Sequence, residues 1–356
     1  MVRLRRGKVV AVTAERPGAL ELEVEIDGGS AAAIAYPELT GPVAPGDGVL
    51  LNVTAAELGL GTGGWHFVVA VEGGADSGTP PAGRVTKARY TPLQTTVRSV
   101  EEMHSDRLEH SAGLSGTPVV AAPLHSMIGP VAAGAKAAGA ERVAYVMTDG
   151  AALPGAFSRL VPRLRAAGIL DGFVTAGQAF GGELEAVTLW TSLLAARELV
   201  RADVVVVADG PGNLGTETTW GVSALSNGHA LNATAALGGR PVAAIRVSFA
   251  DPRDRHRGLS HHTATILSKV CLVPATVAVP RLEGSEREDL WSALRSLQAT
   301  VPIELVEADG GAAHRLLRER GIEVESMGRG WDDDPAFFLA AGAAGAVAAS
   351  LAERSP

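Results

Sequence analysis

From Thr117 onward the chain repeats one pattern: a short apolar run, then a polar or glycine-rich loop, then sequence with helical periodicity. The runs are residues 119–123, 143–147, 173–175, 204–208, 242–247, 273–279, 303–306 and, weakest, 322–324. A strand with one face in water alternates polar and apolar residues, whereas these runs are continuously apolar and so require burial on both faces. A parallel sheet covered by helices meets that requirement, and residues 184–200 and 287–297 have the period of such helices. The expected fold class is α/β, with an open, mostly parallel, doubly wound sheet. A TIM-like barrel is the alternative, because eight strand–helix units would close one.

The first seventy residues follow a different rule. Leu20, Leu22, Val24 and Ile26 alternate with Glu21, Glu23 and Glu25, and the turns Asp27-Gly28-Gly29 and Pro45-Gly46-Asp47 separate short strands. Residues 1–72 are expected to form a small antiparallel β-barrel of the OB or SH3-like kind. Residues 73–85, rich in Gly, Pro and Ser, read as a linker, and 86–356 as the parallel-sheet domain.

Composition removes several function classes. With 31 basic and 39 acidic residues, the net charge of −8 gives no overall attraction for nucleic acid or anionic membrane, so neither partner is expected and anion binding must be local. The one cysteine, Cys271, lies in an apolar run and reads as a buried thiol; it leaves no intramolecular disulfide and no multi-thiolate metal site. The opening MVRLRRGKVV lacks the apolar segment of a signal peptide, and residues 335–352, mostly Ala and Gly, read as a closely packed helix rather than a membrane span. A cytoplasmic protein, with homo-oligomerisation left open, is expected.

The loops after the apolar runs fall on the C-terminal edge of a parallel sheet, where such folds place chemistry. The densest is residues 248–263, SFADPRDRHRGLSHHT. Ser260 suits a helix N-cap, which places His261 and His262 in a first turn where the helix dipole favours neutral imidazole, fit for acid–base work. Asp251 is expected to orient one of them, and His125, in the loop after the first run, to be a second participant. Arg253, Arg255 and Arg257 alternate, so an extended loop would turn all three toward a phosphate or carboxylate. Asp251, His256 and His261 are candidate ligands for a divalent metal, although HxxxxHH fits no standard ligand spacing and adjacent histidines are expected to point apart.

Gly210, Gly212 and Gly215 spell GxGxxG after a strand. The helix pattern begins too late and the next strand lacks the required acid, so an NAD site is not expected. Close backbone approach at these glycines, with Thr216 and its neighbouring hydroxyls and with Gln178 from a nearby loop, suits an anion instead. The capping of helices and turns accounts for Asp149 and Asp309 without any functional role.

Four segments in this order, AIAYPELTGPVAPGDGVLLNVTAAELGLGTGGWHFVVA, RVAYVMTDGAALPGAFS, VTAGQAFGGELEAV and SFADPRDRHRGLSHHT, resemble the uncharacterised bacterial family "domain of unknown function 3866" over nearly the whole chain. The resemblance implies no activity. In that family the glycine loop is often not preceded by an acid, so it implies no catalytic role for Asp209. The residues themselves point to a hydrolase or group transferase acting on a small anionic, phosphorylated or nucleotide-like substrate; the alternative is a non-enzymatic metabolite sensor or scaffold.

Overall fold

A computed structural model describes residues 1–60, 63–74 and 83–352. The chain divides into two compact units, Met1–Arg98 and Ser99–Pro356.

In the first unit, β1 (Leu4–Arg16), β2 (Ala19–Ile26), β3 (Gly29–Ala35), β4 (Gly48–Asn52) and β5 (His66–Val71) close a barrel in the order β1-β2-β3-β5-β4. β4 returns to pair with β1, and every pair is antiparallel except β3 with β5. That order is the OB-type Greek key. Alternation fills the interior with Val9, Leu22, Val24, Ala33, Val49, Leu51 and Val68. Glu21, expected on the wet face, is instead buried in an ion pair with Arg16. Of the expected linker, residues 75–82 lie outside the described residues. Its last residue, Val85, opens β6 (Val85–Lys87), which pairs with β7 (Thr95–Val97).

The second unit is built on β8 (Pro118–Ala121), β9 (Val143–Thr148), β10 (Gly172–Ala176), β11 (Leu184–Ala186), β12 (Val204–Asp209), β13 (Arg240–Ala243), β16 (Ala275–Pro280) and β17 (Ile303–Ala308). A separate two-stranded pair, β14 (Val247–Ser248) with β15 (Gly258–Leu259), lies between β13 and β16 in sequence. The eight-stranded sheet has the order β11-β10-β9-β12-β8-β13-β16-β17, parallel at every pair. It is open, with β11 and β17 as edges, which corrects the TIM-like alternative.

Helices cover both faces: α1 (Ile128–Ala137), α2 (Leu160–Ala166), α3 (Leu189–Glu198), α4 (Ser226–Ala236), α5 (His261–Thr265), α6 (Gly284–Gln298), α7 (Gly311–Glu319) and α8 (Pro335–Leu351). Successive strand residues feed opposite cores. Val205 and Val207 join a cluster with α3, α4 and α6, while Val204 and Val206 join one with α1, α2 and α7. This double burial is why the strands carry no polar alternation.

Three segments depart from expectation. Residues 184–200 are not one helix: β11 comes first, and α3 starts only where Thr188 Oγ1 accepts a hydrogen bond from Thr191 N at 3.2 Å. Residues 322–324 are irregular, with Ile322 packed in the core. The run through Val247 breaks after Ala243, because Val247 and Ser248 leave the main sheet to pair with Leu259 and Gly258.

Candidate functional site

That break builds the site. The β14–β15 pair closes the loop holding residues 249–257, and Arg246 ties its base to α5: its amide donates to Thr263 Oγ1 at 3.0 Å and its carbonyl accepts from Ser260 N at 2.9 Å. Ser260 is the N-cap of α5, its Oγ accepting from His262 N at 3.3 Å. His261 and His262 follow in the first turn with ring centroids 4.1 Å apart, contrary to the expected divergence. The loop adds His256, whose ring lies 5.2 Å from that of His261 and 4.8 Å from that of His262.

One nitrogen from each of these rings lies within 4.8 Å of the other two. His256 and His262 are buried, and His261 is partly exposed. Burial, followed by the charges of Arg246 and Arg253, pushes His256 down to about 3. Burial, with His261 and Arg246, takes His262 to about 4; His261 is lowered by burial and then by Arg255 and Arg246. All are neutral imidazoles near pH 7.

Asp251 does not orient a histidine. Its carboxylate accepts from Arg246 Nη2 at 2.9 Å and from Arg253 Nε and Nη2 at 2.9 and 2.8 Å, with Arg329 Nη2 at 3.5 Å. Burial works to raise its pKa, but the hydrogen bonds and charge of Arg253 and the charge of Arg246 hold the carboxyl well below the usual carboxylate range. Committed to arginines, it is also outside the candidate metal-ligand group, where His262 joins His256 and His261. Ser248 Oγ accepts from Asp251 N at 2.9 Å and donates to Asp334 Oδ2 at 2.6 Å, and Arg329 Nε reaches Asp334 at 3.3 Å. Two carboxylates thus face three guanidiniums, leaving positive charge beside the histidines.

The expected row of three arginines is broken by a 3-10 turn at Asp254–His256. Arg253 turns in to Asp251, Arg255 Nη1 reaches the exposed Glu217 at 3.0 Å, and Arg257 is exposed. Arg255 Nε, His261 Nε2 and His262 Nε2 are buried without hydrogen-bond partners.

The glycine loop meets this cluster from β12. A Cβ on Gly215 would sit 2.8 Å from His262 Cε1, and the Thr216 backbone opposes the fall of the His262 pKa. Gly210 passes close to the Ala152 carbonyl, which a Cβ would approach to 2.5 Å, and Gly212 has a φ of 92°. The loop opens no helix, since α4 begins only at Ser226. Asp209, buried at its root, accepts from Thr148 Oγ1 at 2.6 Å, Asn213 Nδ2 at 2.9 Å and Ser226 Oγ at 3.0 Å, clipping β9, the loop and α4 together. Gln178 N donates to Asp149 Oδ2 at 2.8 Å, and Asp309 Oδ1 accepts from Gly311 N at 2.8 Å at the start of α7.

His125 belongs to another group. Tyr145 Oη donates to the carbonyls of Ala208 and Asp209 at 3.3 and 3.2 Å and accepts from His125 Nδ1 at 3.2 Å. Ser158 Oγ, receiving Val161 N at 3.1 Å, donates to His125 Nε2 at 2.8 Å. Tyr145 and Ser158 carried no signal in sequence. Arg246, Arg329 and Asp334 were also missed; a lone Arg within the apolar run PVAAIRV was the available clue to the first.

An open doubly wound sheet, preceded by a closed five-stranded barrel and carrying a histidine–arginine cluster at its β13 loop, defines an α/β protein with one dense polar centre. The chain belongs to the family described as "Protein of unknown function (DUF3866)", whose profile matches residues 32–345, from β3 in the first unit to α8 in the second. No curated protein matches the chain. Among the described residues, no helix is long and apolar enough to cross a membrane.

Proposed function

We propose that the protein is an enzyme that binds a small anionic substrate, phosphorylated or nucleotide-like, at the C-terminal edge of the sheet and hydrolyses it or transfers a group from it. One observation carries this reading. A guanidinium N–H of Arg255 and ring nitrogens of His261 and His262 are buried together without partners, and the charge of Arg255 acts on both rings. Unpaired polar atoms cost stability unless a ligand completes them.

Arg255 and the positive excess around Arg246 hold the anion, with Thr216 at the rim. His261, which reaches the surface, takes a proton from the attacking water or acceptor hydroxyl and returns it to the leaving group, while the arginines stabilise the developing charge. Asp251 acts at a distance by keeping Arg246 and Arg253 in place.

A thermal-shift screen of inorganic phosphate, nucleotides and sugar phosphates tests the reading. A phosphorylated compound is expected to raise Tm, with affinity weakened at least about tenfold in Arg255→Gln. A flat screen overturns it. Binding with no product over long incubation would assign a metabolite sensor instead.

A further inference from the structure

We propose that His256, His261 and His262 form a binding site for one divalent transition-metal ion of the zinc class, held by three imidazole nitrogens with a further position open to water or substrate. An anion site needs no metal, so this goes beyond the function proposed above; with the ion bound, His261 is a ligand and the ion's water replaces it as the group that gives up a proton.

The rings are arranged as ligands are. Ser260 Oγ lies 2.8 Å from His256 Nδ1. A proton on that nitrogen, donated to the hydroxyl, leaves the Nε2 lone pair free. The His262 Nε2 is buried and has no hydrogen-bond partner. Outer hydrogen bonds that fix tautomer and ring direction are what metal-bound histidines have. His261 Nε2 is also buried and unpartnered. Three imidazoles with nitrogens this close, two of the rings holding a buried nitrogen without a partner, leave polar atoms unsatisfied that a cation among them would complete.

The dimensions agree. Three nitrogens at about 2.0–2.1 Å from a tetrahedral ion are about 3.3–3.5 Å apart. The observed separations, all within 4.8 Å, need each ring to draw in by a small rotation. His261 at the surface can make that adjustment. The Gly215 backbone, packed where no Cβ fits beside His262, fixes the other side.

The donor set selects the ion. Three neutral nitrogens with no thiolate or carboxylate suit Zn2+, Co2+, Ni2+ or Cu2+ and not Mg2+ or Ca2+, which require oxygen. The Asp251 carboxylate pairs with Arg246, which lowers the repulsion a cation would meet. A three-ligand site leaves room for a water whose proton the ion makes labile.

The test uses untagged full-length protein, stripped with chelator and then titrated with Zn2+ and, separately, Co2+, with bound metal measured after gel filtration. About one equivalent per chain is expected, with a tetrahedral Co2+ absorption spectrum and a rise in Tm that Mg2+ does not produce. His261→Gln, at the partly exposed position, is expected to weaken binding at least about tenfold while the metal-free protein melts as wild type does. His262→Gln provides a second variant, read only by its Co2+ spectrum. Well under one equivalent bound to folded wild type, or binding unchanged in both variants, overturns the proposal. Phosphate binding by the metal-free protein would survive that failure, so the two readings can fall separately.

Discussion

Both ring nitrogens of His125 are occupied, by Tyr145 and Ser158, and burial lowers its pKa from 6.5 to about 4. The unfolded chain therefore binds a proton between those values that the folded chain refuses. Stability from this group is complete above pH 6.5 and is lost as pH falls toward 4, by up to about 3 kcal/mol. Urea denaturation at several pH values should show that slope reduced in His125→Gln, which does not titrate; an unchanged slope would mean that His125 is not buried neutral. Legibility at this scale followed chain distance. His256, His261 and His262 stood out because they are crowded into one loop. Sequence proximity points to Asp251 as their partner because nothing local announces Arg329 and Asp334, which come from a distant segment to share its charge.

At the scale of elements, the continuous runs located the sheet because double burial writes itself plainly into sequence. The pattern misleads at two places: the helical period of 184–200 hides β11 ahead of the Thr188 cap, and the apolar run through Val247 continues past β13 into a strand that pairs elsewhere. The Ala- and Gly-rich terminal segment was legible as a packed helix, and the reason is geometric. A Cβ on Gly345 of α8 would collide with the Val131 carbonyl of α1, and one on Gly134 with the Gly342 carbonyl. Helix propensity alone favours Gly345→Ala by up to about 1 kcal/mol, whereas overpacking costs about 1–3 kcal/mol. Net destabilisation is expected, with a Tm lower by several degrees in a calorimetric melt. A higher Tm would show that the two helices can separate without penalty.

For the whole molecule, the two units were legible as a change of rule, alternating polarity giving way to continuous apolarity. Each has a core drawn from its own residues: Val9 to Val68 in the barrel, Val100 to Ala348 in the sheet unit. A fragment beginning at Ser99 is expected to melt in one cooperative transition, with the near-ultraviolet signature of Tyr145 and Phe173 stacking 5.4 Å apart. A broad, non-cooperative melt would show that the sheet unit depends on the barrel. What sequence did not reveal is the strand order. β8 is the first strand of the sheet to leave the ribosome, yet its neighbours are β12 and β13, and β9, β10 and β11 are made before either. Until β12 arrives, Val119 and Val120 have no ladder to join. The centre of the sheet closes by long-range pairing, and the nascent chain carries an open apolar strand while residues 122–203 are made. A pause in translation before β12 would prolong that exposure, and the waiting strand is the kind of surface a chaperone would cover.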